Sequence, residues 1–121
     1  MHSNDELGSG MGSDSDVDAL AVLVADAEGA ADAARLAQIR EVRVLAAAGV
    51  LAERQAAGAS EKVKAREMAL RGIAAELAGV FVTTDRTLQR RIDEARDLVE
   101  NYPVTMAAWE AGRIVRGHVR V

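Results

Sequence analysis

Residues 83–101, TTDRTLQRRIDEARDLVEN, carry the pattern that decides the fold of this chain. Apolar residues recur there at spacings of four, three and four, at Leu88, Ile92, Ala95 and Val99. This periodicity places the four side chains on one face of an α-helix, and charged residues fill the opposite face. The segment therefore predicts an amphipathic helix that packs against other helices.

The boundaries of this helix are also visible in the sequence. Thr83 or Thr84 can cap its start, because a threonine hydroxyl accepts a hydrogen bond from a backbone N–H of the first turn. Pro103 stops the helix and suits the first turn of a short following helix, which ends at Gly112. A fifth element begins near Ile114 and stops with the chain, so the sequence predicts a domain that is incomplete at its C-terminus.

A long helical stretch is predicted upstream, from about residue 16 to residue 57. It has a thin, alanine-rich apolar stripe from Leu20 to Ala34. Gly29 and Gly49 each weaken the stretch by about 1 kcal/mol relative to alanine, and either can mark a kink or a break. Residues 1–15 are small, polar and acidic, which predicts a disordered tail before a helical domain of residues 16–121.

A second helix is predicted between these two, starting at a Ser60 cap and ending near Val80. Its apolar stripe begins at Val63. The short apolar run at residues 80–82 has no obvious strand partner, so we interpret it as a buried connection that docks Phe81 in the core.

Composition favours the same fold class. Half of the residues are hydrophobic, only 2% are aromatic, and there is one proline, so the core must be built from alanine and aliphatic side chains. These residues favour helices over a β-sandwich or barrel. We predict an all-α, irregular bundle with one long N-terminal helical stretch, a helical hairpin resembling a helix-turn-helix, and short C-terminal helices.

Several function classes are disfavoured by what the sequence lacks. It has no cysteine, and its two histidines are His2 and His118, so neither a zinc site nor another metal site is predicted. No Ser-His arrangement, phosphate-binding loop or dinucleotide fingerprint occurs, so no catalytic residue and no cofactor is expected. No signal peptide or bilayer-spanning segment is recognisable, which predicts a cytoplasmic protein without a membrane partner.

The most suggestive functional segment is residues 73–92, IAAELAGVFVTTDRTLQRRI, which is predicted to form helix, turn and helix. Arg86, Arg90 and Arg91 open the second helix, where a helix-turn-helix contacts DNA. However, the next apolar anchor falls at Leu88, about three residues later than that motif requires. The alternative is an ordinary helical hairpin with a solvated face of mixed charge.

Charge gives a second candidate cluster near the C-terminus. The net charge is −4, but residues 1–60 carry −6 and residues 61–121 carry +2. The cations of the second half include a cluster near the chain end, Arg113, Arg116, His118 and Arg120, and such a cluster can neutralise phosphates. The candidate nucleic-acid contacts are Arg86, Arg90, Arg91, Arg113, Arg116 and Arg120. A solvated helix face is the alternative for the last three.

Residues 35–121, and residues 66–121 most clearly, resemble the family called domain of unknown function 222, which includes the thirteen-E-twelve repeat proteins. The resemblance rests on EMALR at 67–71, AAEL at 74–77, TDRT at 84–87, ARDL at 95–98, and the run from Pro103 to Arg120. Such domains usually lie N-terminal to an HNH endonuclease domain. Val115 departs from the family pattern, because a helix-capping Ser or Thr is common there.

The resemblance implies a non-catalytic accessory domain that is DNA-associated and whose partners are DNA and a downstream nuclease domain. The nuclease histidines and asparagine have no counterpart in this chain, so the resemblance assigns no catalytic residue to it and predicts a truncation before the nuclease. The alternative is a helical structural or oligomerisation module without nucleic-acid binding. Its thin alanine-rich stripe would pack against a partner domain or a second copy.

Overall fold

The computed structural model describes residues 2–114, with side chains from Ser13 onward. In this part of the chain it has four α-helices and no strand: α1 (His2–Ala56), α2 (Lys62–Phe81), α3 (Asp85–Asn101) and α4 (Pro103–Glu110). The predicted all-α class is confirmed. None of these helices combines the length and the hydropathy that crossing a lipid bilayer would require.

The chain divides into two units, Met1–Ala34 and Arg35–Val121. α1 runs without a break through Gly29 and Gly49, the two positions where the sequence allows a kink. Its bounds include most of the predicted tail at residues 1–15, of which side chains are described only from Ser13. The boundary between tail and domain therefore stays a prediction. The predicted fifth element lies beyond Ile114, outside the described residues.

The core lies within the unit that begins at Arg35. It combines the C-terminal part of α1 with one face each of α2, α3 and α4. Its buried members are Ile39, Val42, Leu45, Ala46, Ala48, Ala52, Leu70, Ala74, Ala78, Leu88, Ile92, Ala95, Leu98, Met106 and Trp109. Many of them are alanines, so the helices can approach closely and the larger side chains interlock between them.

The predicted stripe of α3 is confirmed, because Leu88 and Ile92 are fully buried and Val99 packs against the core. Thr84 is the N-cap, and its hydroxyl accepts a hydrogen bond from the backbone N–H of Thr87 at 3.2 Å. This arrangement satisfies one of the donors that the first turn of a helix leaves without a partner.

Replacing Thr84 by alanine is expected to destabilise the 35–121 unit by about 1 kcal/mol, the usual cost of removing an N-cap hydroxyl. Thr84→Ser is the matched control, because it retains the accepting oxygen. Urea denaturation of the three proteins measures the difference. Equal midpoints for the alanine and serine variants would show that the hydroxyl contributes no stability.

Three details of α2 differ from the prediction. Its N-cap is Glu61 rather than Ser60, and no side chain caps it. Val63, predicted to face the core, is 77% exposed and lies in the first turn of α2. Val80 and Val82 are also exposed, and only Phe81 of that run packs against the core. Residues 80–82 are therefore not a buried connection but the end of α2 and its C-cap.

Candidate nucleic-acid interface

The α2–α3 hairpin presents the start of α3 to solvent. Three residues, 82–84, join the two helices, and Val82 closes α2 in the left-handed conformation with φ of 50°. Arg86 and Arg90 follow in α3, one helical turn apart, and both are exposed. Both are predicted phosphate contacts whose placement leaves them accessible to a ligand.

Acidic side chains accompany these two arginines. Arg90 Nε lies 3.8 Å from Glu94 Oε1, and both side chains are 69% exposed, so the ion pair is weak. The solvent face of α3 also carries Asp85, Asp93, Asp97 and Glu100. Because these carboxylates repel phosphate, the cationic surface of α3 is confined to Arg86 and Arg90, with Asp85 beside them.

Arg91 has a different placement from its neighbour Arg90. It pairs with Glu41 of α1, and both side chains are about 70% buried. Its guanidinium also lies over the ring of Phe81, 5.7 Å from the centroid, at a distance that allows a cation–π interaction. These two contacts tie α3 to α1 and to the end of α2. Arg91 would have to leave both of them to reach a phosphate.

The C-terminal cluster is described only at its beginning. Arg113 follows α4 and is exposed, and its backbone N–H donates to the carbonyl of Ala108 at 2.9 Å. Arg116, His118 and Arg120 lie outside the described residues. Within the described part, the structure therefore brings together Arg86 and Arg90 as one exposed pair and leaves Arg113 as a separate exposed cation.

An ion-pair cluster that sequence reasoning missed joins three helices. Glu53 Oε1 of α1 accepts from Arg66 Nε at 3.2 Å and lies 2.9 Å from Arg96 Nη1. Arg66 also donates to Asp93 at 3.0 Å, and Arg96 donates to Glu100 at 2.9 Å. These partners are up to 43 residues apart along the chain (Glu53 to Arg96), so no local spacing could reveal the cluster.

The two arginines lower the pKa of the Glu53 carboxyl, mainly through the hydrogen bond from Arg96 and its positive charge. A carboxyl with a lowered pKa in the folded state stabilises that state above the pKa of the unfolded chain. This stabilisation is lost as the pH falls through the folded-state pKa, where the group becomes protonated. Its contribution is therefore present at neutral pH and absent in acid.

We expect Glu53→Gln to lower the urea midpoint of the 35–121 unit at pH about 7 and to lower it less at pH about 3, where more of the carboxyl is protonated. The matched control is Glu76→Gln on α2, since Glu76 is exposed and makes no ion pair with a described residue. A midpoint difference for Glu53→Gln that is equal at both pH values would contradict the electrostatic explanation.

Within the part of the chain that the structure describes, no three His, Cys, Asp or Glu residues are placed to hold a metal ion. A cavity of about 270 Å³ lies between the end of α1 and the start of α2. Its charged lining is Glu53, Lys62 and Arg66, two of which already pair with each other.

A second candidate surface lies on α1. Val17, Leu20, Leu23 and Val24 are 48–63% exposed. Together with Ala27 and Ala31 they form what we call the α1 apolar face. The positions Val17, Leu20, Val24, Ala27 and Ala31 alternate spacings of three and four residues, as in a helix that packs along a partner helix.

No protein-family model, no curated protein and no solved structure matches this chain significantly. The resemblance to domain of unknown function 222 therefore stays a prediction. Two exposed surfaces, the α1 apolar face and the arginine pair of α3, are the candidate binding sites among the described residues.

Proposed function

We propose that this chain is a non-catalytic helical accessory domain that acts by binding another protein through the α1 apolar face. The exposure of that face is the observation on which the proposal rests. Folded monomeric proteins rarely leave a contiguous row of large apolar side chains in water, and such rows commonly mark interaction sites. The family resemblance would make the assembly a nuclease-associated one.

Covering the α1 apolar face would also stabilise the helix that carries it. An isolated helix in water is stabilised weakly by its own backbone, and most helical stability in proteins comes from packing an apolar face. Residues 13–34 have such a face, from Val17 to Ala31, and leave it exposed. A protein groove that accepts this face would stabilise the helix and remove its apolar surface from water, as in other helix-in-groove complexes.

Site-specific photocrosslinking in the cell of origin tests this proposal. A photoreactive residue at position 20 lies on the α1 apolar face, whereas one at position 18 lies on the opposite side of the same helix. We expect position 20 to give one defined adduct, identified by mass spectrometry and reproduced with the purified partner. Position 18 should not give it. Identical adducts at both positions, or none at either, would remove the function from this face.

A second candidate function, phosphate contact with duplex DNA, is favoured by the placement of Arg86 and Arg90. Both project from the positive end of α3 into solvent, and residues 35–121 carry fifteen Lys and Arg against eleven Asp and Glu. Since the acidic face of α3 follows directly, this contact would be to the backbone and not to base edges. Arg113 is the third exposed candidate.

Fluorescence anisotropy with labelled duplex at low salt tests DNA binding. Replacing Arg86 and Arg90 together by alanine should weaken it and reduce the slope of log K against log salt by about 0.9 for each lost phosphate contact. Arg91→Ala, by contrast, should chiefly lower stability, because it breaks the contacts with Glu41 and Phe81. Absence of binding at about 50 μM protein at low salt would exclude this candidate for the isolated chain.

A further inference from the structure

We infer that the partner of the α1 apolar face is a second copy of this chain, docked on the outer surface of its α2. This inference rests on the proposed function of the α1 apolar face. It names the occupant of that face and the surface that receives it, and it makes the chain a reciprocal homodimer.

Charge decides between the ways in which two copies could meet. Residues 1–34 contain eight Asp and Glu and no Lys or Arg, whereas residues 35–121 have a net charge of +4. Two α1 apolar faces packed on each other would bring two acidic segments together, and like charges across an interface cost several kcal/mol. Contact between residues 13–34 of one copy and the 35–121 unit of the other pairs opposite charges instead.

The outer surface of α2 has the complementary chemistry. Lys64, Met68, Arg71, Gly72 and Ala75 are all exposed, and their spacing places them on one side of the helix. Met68 is 66% exposed and offers a flexible apolar side chain. Lys64 and Arg71 make no ion pair with any described residue, so both are available to acidic groups of a partner.

The shape of this surface also suits a helix. A Cβ built on Gly72 meets no atom within 4 Å, so the backbone of α2 is open to a close neighbour there. The large side chains Leu20 and Val24 of the α1 apolar face can fill the space that Gly72 leaves. Asp16 and Glu28 lie one turn before Leu20 and one turn after Val24, at the edges of the face where Lys64 and Arg71 could meet them.

The two surfaces match in length. Residues 13–34 span about 33 Å of helix and the twenty residues of α2 about 30 Å, at 1.5 Å per residue. In a two-fold dimer each copy supplies both surfaces, so the contact forms twice and the assembly closes. Two helix-length contacts are of the size that a specific interface needs, about 1,200–2,000 Å² in total.

Sedimentation equilibrium of the full chain, from about 1 to 200 μM, tests the dimer by mass action. The wild-type chain should be dimeric at the upper end and should dissociate more readily when the salt is raised from about 50 to 500 mM, because salt screens exposed charge pairs. Leu20→Glu with Val24→Glu should weaken the dimer at least about 30-fold. Val104→Glu, on an 80% exposed residue of α4, is the matched control and should leave it unchanged.

Charge reversal tests the receiving surface without disturbing the core. Lys64→Glu with Arg71→Glu should dissociate the dimer, and adding Asp16→Lys with Glu28→Lys in the same chain should restore it. Circular dichroism confirms that each variant is folded. A dimer unaffected by Lys64→Glu with Arg71→Glu overturns the assignment of α2.

A wild-type chain that stays monomeric over the whole range overturns the dimer. If the photoreactive residue at position 20 crosslinks to a protein other than this chain, the proposed function stands while the dimer inference fails. If position 20 gives no defined adduct, both fail.

Discussion

Replacing Trp109 by alanine is expected to destabilise the 35–121 unit by about 3–5 kcal/mol, the usual cost of removing a large buried aromatic side chain. Trp109 is 1% exposed and is the largest fully buried residue described. It lies in α4, a helix of only eight residues that has few other anchors: Met106 is its one other buried side chain. Because domains are typically stable by about 5–15 kcal/mol, this loss would bring the unit close to unfolding.

Urea denaturation followed by circular dichroism measures this effect, with Val104→Ala as the control in the same helix. Val104 is 80% exposed, so its truncation should change stability by less than about 0.5 kcal/mol. Trp109→Phe should have an intermediate effect, because it keeps most of the buried apolar area. If Trp109→Ala and Val104→Ala had similar midpoints, α4 would not be packed on the core as described.

α3 shows which part of the fold the sequence could predict. Leu88 and Ile92 are buried at the predicted spacing, Thr84 caps the helix, and Pro103 opens the next one. All of this information is local, since it depends on the 3.6-residue repeat and on hydrogen bonds within one turn. A single strongly periodic segment therefore sufficed for the all-α class and for the hairpin around residues 82–84.

The functional side chains were harder to predict, and the neighbours Arg90 and Arg91 show why. They are identical residue types in the same helix turn, but Arg90 faces solvent and Arg91 pairs with Glu41, which is 50 residues away in the sequence. Which arginine is available to a ligand depends on the rotation of α3 relative to α1. Helical periodicity fixes which residues share a face, but not which charged neighbours that face meets.

The same reasoning explains why two residues of the predicted apolar stripes are exposed. Val63 follows the stripe of α2 and Leu20 follows the stripe of α1, yet both are at least 60% exposed. A pattern indicates that a face can be covered, whereas burial requires another element to lie there. At Leu20 this difference is the basis of the proposed function, because an apolar face that is left in water is a candidate binding site.

Gly49 shows how the close packing of α1 and α3 depends on a missing side chain. A Cβ at this buried position would lie 3.1 Å from Cδ of Arg96 and 3.3 Å from Cγ2 of Ile92. Ile92 is fully buried, and Arg96 is held by Glu53 and Glu100, so neither side chain can move away freely. The two γ-methyl groups of a valine would crowd the contact further.

Gly49→Val is therefore expected to destabilise the 35–121 unit by about 1–3 kcal/mol, the usual cost of overpacking a core. Gly29→Val is the matched control in the same helix, on the side opposite the α1 apolar face, where a Cβ meets no atom within 4 Å. There the change should be neutral or slightly stabilising, because valine is a somewhat better helix former than glycine. Thermal unfolding of the two variants measures the contrast. Equal shifts at both positions would mean that α1 and α3 do not approach closely at Gly49, and would remove the packing that positions Arg91 and Arg96 against α1.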